Sequence, residues 1–303
     1  MFPEDLKNRL KTVHAFAITP FQPDDISQIN IEGLRGNLRF LIDRGVTVIT
    51  LGGGTGEVNA LTDIELLTLA EVGLQVAHED RALILPTLPG NLGIAIELAP
   101  KHEHQGARVA LAMAPYIRDQ TPDNLEGVFQ FYKTLAEASN LALMPYNTQD
   151  WPPEFFERLA EIDQIIGIKD PCFVPHNLFK AIKRLGDRFV WIGNKRHDPG
   201  VLHFRYQAGI EGYTAGLINF VPEPFVELHA CALRQDWDRM IDIQETLAPL
   251  ERLRNINSEA VLKTGLDLIG LAGGPMRPPR LDISAKGRKQ VRAAMVEMGL
   301  EVK

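Results

Sequence analysis

The stretch IIGIKD, residues 165–170, decides the fold. A short apolar run rich in β-branched residues reads as a buried strand. Lys169 closes it, and an ammonium group there is costly unless it reaches water or its charge is meant to be disfavoured. Seven other runs have the same character: VHAFAI (13–18), VTVITL (46–51), ALILPT (82–87), RVALAM (108–113), LALMPY (141–146), FVWIGN (189–194) and IEGYTAG (210–216). Helical patterns separate them, among others at 31–45, 62–79, 93–106 and 122–139. Strands alternating with helices predict crossover connections and a parallel sheet. Eight such units predict an α/β fold closed as a (β/α)8 TIM barrel. An open dinucleotide-binding sheet needs Gly-x-Gly-x-x-Gly after its first strand, and AFAITPFQPDD (15–25) has none.

Beyond residue 235 the alternation stops, and 236–253, 258–272 and 285–299 all read as helix. The expected organisation is a barrel over 1–234 and a C-terminal helical extension, 235–303, packed on it with no Pro/Gly/Ser-rich linker between. The composition, 45% apolar and 23% charged, is that of a soluble globular enzyme. A net charge of −7 argues against nucleic-acid or anionic-membrane partners, which call for a basic surface. The two cysteines, Cys172 and Cys231, have neither zinc spacing nor a disulfide framework, and favour a reducing compartment. With no apolar leader in MFPEDLKNRL and no run of bilayer length, the expected location is cytoplasmic.

In such barrels the chemistry sits at the C-terminal ends of the strands. Lys169 is at one such end, as are Thr55 and Glu57 after strand two, Tyr116 after strand four, Tyr146 and Asn147 after strand five and Thr214 on strand eight. A lysine attacks a carbonyl only as the neutral amine, and removal from water favours that form. The imine formed with a ketone draws electrons from the adjacent carbon, which permits proton loss, C–C cleavage or C–O elimination. The alternative is an exposed lysine paired with Asp170. Tyr146, on the preceding strand, is placed to pass protons at an imine, or else covers the core as a satisfied aromatic. GGGTGE (52–57) brings backbone N–H groups close to an anion such as a 2-oxo acid carboxylate, or is a plain turn. It lacks the Lys-Ser or Lys-Thr of a phosphate loop. HEH (102–104) falls on the wrong face of the barrel and reads as a solvated helix end. Lys195, Arg196 and His197, in NKRHDPG (194–200), fall on the right face, as carboxylate ligands or an exposed basic turn. No metal-ligand spacing is present, and neither metal nor cofactor is expected.

With GGGTGE, PYN (145–147) and GIKD (167–170) in this order on strand ends, the chain resembles the dihydrodipicolinate synthase and N-acetylneuraminate lyase superfamily, from AITPF (17–21) to the C-terminal helices. The resemblance implies a homo-oligomer, usually a tetramer, a Schiff-base lysine matched by Lys169 and a catalytic tyrosine matched by Tyr146. It also implies a carboxylate-binding loop matched by Gly54, Thr55 and Gly56. Dihydrodipicolinate synthases pair two tyrosines after strand four, where this chain has Tyr116 and Ile117. They carry an arginine where Trp151 stands and a threonine where Gly54 stands, which argues against a role in lysine biosynthesis. GGTGE, INFVPE (218–223) and the segment 254–279 with its Gly-Pro-x-Arg are more similar to the 5-dehydro-4-deoxyglucarate dehydratases. By that match Asn219 and Thr214 line the site on the strand-eight side, and Asn147, after strand five, is also expected to bind substrate. The implied activity is a class I lyase dehydrating a keto-deoxy sugar acid. A pyruvate-releasing retro-aldolase and a non-catalytic barrel that binds sugar acids are the alternatives.

Overall fold

The structure, a computed structural model, describes residues 4–117, 122, 124–194 and 200–303, without the side chains of Glu79 and Asp80. The basic residues Lys195, Arg196 and His197 therefore lie outside the described residues.

All eight sequence runs form strands: β1 (Val13–Phe16), β2 (Val48–Leu51), β3 (Leu83–Leu88), β4 (Val109–Met113), β5 (Ala142–Tyr146), β6 (Gly167–Lys169), β7 (Val190–Asn194) and β8 (Gly212–Ala215). Each pairs in parallel with the next, and β8 returns to β1, so the barrel closes in sequence order. Closure removes sheet edges, and helices cover the outer face, so both faces of the strands are largely buried.

A short helix the sequence reading did not mark, α1 (Glu4–Leu10), precedes the barrel. Its Leu6 and Leu10 cluster with the inward residues Val48, Leu83, Val109, Met144 and Ile192, so α1 packs with the barrel interior. The outer ring comprises α2 (Ile31–Asp43), α3 (Asp63–Arg81), α4 (Leu92–His104), α5 (Leu125–Glu137), α6 (Pro153–Leu159), α7 (Pro175–Leu185), α8 (Leu202–Gln207) and α9 (Pro222–Arg234). Their starts are written locally. Asn30, Thr62, Asn91 and Asn124 cap α2 to α5 by accepting backbone N–H bonds, and a proline occupies the first turn of α6, α7 and α9.

Two further helices follow, α10 (Trp237–Ile269) and α11 (Ala285–Glu297). The break the sequence places at 254–257 is a bend inside α10: Asn257 and Ser258 leave helical backbone angles while the helix continues beyond them. The bend turns one side of α10 toward the C-terminal mouth of the barrel, where its residues meet those of the strand ends.

Candidate active site

A cavity of about 250 Å3 opens at the C-terminal mouth of the barrel. Its walls include Phe16 from β1, Gly54 and Thr55 after β2, Tyr146 from β5, Lys169 from β6, Asn194 from β7 and Thr214 from β8. That volume lies below the ~300–1,000 Å3 of drug-sized sites and suits a compact metabolite.

Register places the central pair. Tyr146 and Lys169 are direct partners across β5 and β6, so both side chains leave the sheet at one level. Lys169 is 2% exposed, and its Nζ stands 3.1 Å from the Tyr146 ring centroid and 4.7 Å from that of Phe16. Strand register thus produces the approach of Tyr146 to Lys169 that the sequence implied. It also brings in Phe16, an inward residue of β1 that carried no sequence signal beyond its place on a strand. The reading of Lys169 as an exposed partner of Asp170 does not hold: Asp170 instead accepts from Asn147 Nδ2 (2.6 Å) and from the Cys172 amide (2.6 Å). Burial lifts the Asp170 carboxyl to about 6, against the pull of those two hydrogen bonds.

Deeper in the barrel His14 is fully buried. It donates from Nε2 to the Leu10 carbonyl (2.8 Å), while Nδ1 has no partner. Burial lowers its pKa to about 4; the Leu10 carbonyl opposes the shift and the charge of Lys169 adds to it. The ring is neutral near pH 7.

The glycine-rich loop is held from two sides. A Cβ on Gly56 would sit 2.8 Å from the Ala17 carbonyl oxygen, so this position admits no side chain. Thr19 Oγ1 donates to the Gly56 carbonyl (3.0 Å). Glu57 adopts a left-handed backbone (φ 63°) and turns its buried carboxylate toward Lys263 of α10, with Nζ 2.8 Å from Oε1. Lys263 also donates to the Pro275 carbonyl (2.7 Å). An ion pair among buried groups therefore ties the loop after β2 to α10. Gly54 and Thr55 are left facing the cavity, and a Cβ on Gly54 would meet nothing within 4 Å.

Other residues singled out from sequence hold the mouth in shape. Asn219 donates to the Phe16 carbonyl and the Gly216 carbonyl, both at 2.8 Å, and accepts from the Ile18 amide at 3.1 Å. It clamps the end of β1 to the turn after β8 and is not among the lining residues. Asn147 does the same between β5 and β6, accepting from the amides of Gln149 and Trp151 while donating to Asp170. Thr214 does line the cavity and donates to Asn194 Oδ1 (3.1 Å). Trp151 is fully buried against Tyr132, Phe155 and Phe156, so it neither blocks the cavity nor forms it. Tyr116 is 45% exposed and donates to Thr148 Oγ1 (2.5 Å), outside the lining. On the far wall, Arg254, Asn255, Ser258, Glu259 and Arg280 line the cavity and went unmarked in sequence. The one available signal was the interruption of helical pattern at 254–257.

Among the described residues no group of three or more potential metal ligands clusters, and no helix is long and apolar enough to cross a membrane. HEH does end α4 away from the mouth, but it is not solvated throughout: His102 is fully buried and bonds Gln105 (3.2 Å), while His104 is exposed.

Fold and cavity together define a (β/α)8 barrel with a compact cavity beside a buried strand-end lysine. The chain belongs to the dihydrodipicolinate synthetase family, whose model matches residues 9–298. It is 26% identical over 290 residues, 93% of this chain and 96% of the other, to a 4-hydroxy-tetrahydrodipicolinate synthase of Methanosarcina acetivorans. It is 23% identical over 294 residues, 94% and 93% of the two chains, to a probable 5-dehydro-4-deoxyglucarate dehydratase of Bacillus licheniformis. The crystal structure of dihydrodipicolinate synthase from Bacillus clausii superposes with a TM-score of 0.90 at 23% identity, covering 97% of this chain and all of that one, and shows the same fold. Of these two relatives one is a synthase by name and the other a probable dehydratase.

Proposed function

We propose that this protein is a Schiff-base lyase acting on a 2-oxo acid, and that it dehydrates a keto-deoxy sugar acid. The observation that carries the reading is Lys169: its amine is almost wholly withdrawn from water, lies against the Tyr146 ring and opens onto a cavity sized for a small acid. An amine kept from water and set beside a proton-transfer group is the arrangement imine formation needs.

In this reading Lys169 attacks the keto carbon, and Tyr146 moves protons as the carbinolamine forms and loses water. Gly54 and Thr55 receive the carboxylate on the backbone and hydroxyl of the loop after β2, with Gly56 fixing that backbone. Thr214 and Asn194 form the polar wall on the β7–β8 side, while Asn147 and Asn219 hold the strand ends in place. From the protonated imine a proton leaves C3 and its electron pair moves toward the imine carbon. As that pair returns, hydroxide leaves C4, so the net loss is one water. Residues 1–234 carry all of these groups, with 235–303 closing the cavity from above. Of the family's chemistries the dehydratase is favoured by Gly54, which leaves the loop without the hydroxyl a threonine would add there, and by Trp151, which lies in the core and offers no cation. The reading includes a homo-oligomeric, cytoplasmic enzyme that needs no metal or cofactor.

The test is borohydride trapping with pyruvate and with 2-oxo sugar acids, followed by peptide mapping and product analysis. A reduced adduct on the Lys169 peptide and a dehydrated product without pyruvate are expected. Trapping on another residue, or no adduct with any 2-oxo acid, would remove the reading. Release of pyruvate would make the protein an aldolase.

A further inference from the structure

The far wall of the cavity, formed by α10 and by Arg280 from the segment between α10 and α11, differs from the strand ends: it carries two arginines, and of these Arg280 is paired with another lining residue. Arg280 Nη1 lies 3.0 Å from Glu259 Oε2. The side chain of Arg254 is only 14% exposed, and among the described residues its one ion contact is Glu251 at 3.9 Å, beyond hydrogen-bond reach. Arg254 Nε is buried with no hydrogen-bond partner. A guanidinium presents five N–H donors in a fixed fork, and leaving even one of them, here Nε–H, buried and unaddressed is costly.

Its position is built in by neighbours. A Cβ on Gly216, in the turn after β8, would fall 2.5 Å from Arg254 Cζ and Nη2, so the guanidinium lies against that turn in the space a side chain there would take. The bend at Asn257–Ser258 sets Arg254, Asn255, Ser258 and Glu259 along one wall. In the closed strand order β2 and β6 stand across the barrel, so Thr55 and Lys169 face each other with the β8 side between them. Arg254 enters on that side.

We infer that Arg254 receives a second anionic group of the substrate, at the end away from the 2-oxo acid, and is thereby the residue that sets which 2-oxo acids this cavity accepts. The inference rests on the Schiff-base reading above and adds to it the chemistry of the far end. A carboxylate takes two parallel N–H bonds from the guanidinium fork, and a phosphate offers the same acceptors, so the structure defines an anion. A hydroxymethyl end satisfies the same donors less well because it brings no charge.

Borohydride trapping of the full-length protein tests this with pyruvate, which has no far end, and with 2-oxo acids of one chain length ending in carboxylate, phosphate or hydroxymethyl. Wild type is expected to trap an anion-ended acid at concentrations about 100-fold below the hydroxymethyl-ended one, the scale of a buried charge pair. Whether carboxylate or phosphate is trapped better assigns the anion. Arg254→Met is expected to bring the ratio of anion-ended to hydroxymethyl-ended trapping to near one. Equal trapping of all ends by wild type, or an undiminished ratio in Arg254→Met, overturns the inference and leaves the lysine chemistry standing. If Arg254→Met traps no pyruvate either, Arg254→Lys decides: it keeps a charge without the fork, and a ratio reduced at least tenfold supports the inference while an unchanged ratio overturns it. A wild-type protein that traps no 2-oxo acid removes the inference together with the reading beneath it.

Discussion

The floor of the cavity and its α10 wall are held by different physics. On the floor, Lys169, Tyr146 and Phe16 leave neighbouring or facing strands at levels set by backbone pairing, amid side chains with almost no exposure. Moving any of them requires the barrel to slip register, which would invert every strand residue between core and helix layer. The wall depends instead on a helix bend, a glycine in a turn and an ion pair, Glu57 with Lys263, that crosses from loop to helix. Such a surface changes by single substitutions without disturbing the sheet. The floor thus suits chemistry common to many substrates, and the wall suits the choice among them.

The sharpest way to break the comparison is at the floor. Lys169→Ala is expected to abolish the reduced adduct and lower turnover by about four orders of magnitude, the scale of losing a nucleophile, while the melting temperature stays close to wild type or rises. Retained turnover would show that the floor does not carry the chemistry.

The next largest effect concerns the tie between loop and wall. Lys263→Met leaves Glu57 as a buried, unanswered carboxylate and is expected to cost about 3–5 kcal/mol in urea unfolding. The double variant with Glu57→Gln recovers much of that loss, because the stranded charge is gone. If the single variant unfolds like wild type, the ion pair does not hold wall to loop.

His14 gives the strand side of the site a pH dependence of its own. Its folded pKa, lowered to about 4, is below the 6.5 of the unfolded chain, so the unfolded state takes up a proton first as the pH falls. The stabilisation is complete above pH 6.5 and is lost between there and pH 4, in total about 3 kcal/mol. Asp170, with its raised pKa, acts in the opposite sense and gains stability as the pH falls from 6 toward 3.8. His14→Gln keeps the Asp170 contribution and removes the other. Its stability relative to wild type is expected to improve by about 3 kcal/mol between pH 7 and pH 4, and parallel curves would contradict the buried neutral ring.

The smallest expected change is at Gly54. No atom lies within 4 Å of a Cβ built there, and the backbone is not in the left-handed region. Gly54→Thr should therefore leave stability within about 0.5 kcal/mol while placing a hydroxyl at the cavity edge. A large loss of stability would mean the loop is less open than its geometry states.

The barrel was legible because its signals are local. Each strand is a short apolar run, and asparagine or threonine caps and first-turn prolines announce the helices. Lys169, Tyr146, Gly54 and Thr55 were legible for a related reason: strand ends in this fold open onto a single mouth, so a polar residue at such an end is placed by the strand itself. Asn219 and Asn147 were found at the right end, but their hydrogen bonds were not legible: only the folded chain commits Asn219 to backbone carbonyls and an amide, and Asn147 to two amides and the Asp170 carboxylate. Arg254 was legible only as the first residue of the resembling segment 254–279, with no role attached. It lies about 85 residues beyond Lys169 in sequence, on a helix that reads as an appendage.

The sequence by itself determined the closed order of eight strands, the helices around them and the lysine at the mouth, because periodicity and capping act over a few residues. Only the tertiary structure decided that Lys169 stays buried against Tyr146 and Phe16, that Glu57 turns away to Lys263, and that a bent helix brings Arg254 over the mouth. Those outcomes depend on which distant surfaces meet, and burial, ion pairing and close backbone approach are settled only once the chain has closed on itself.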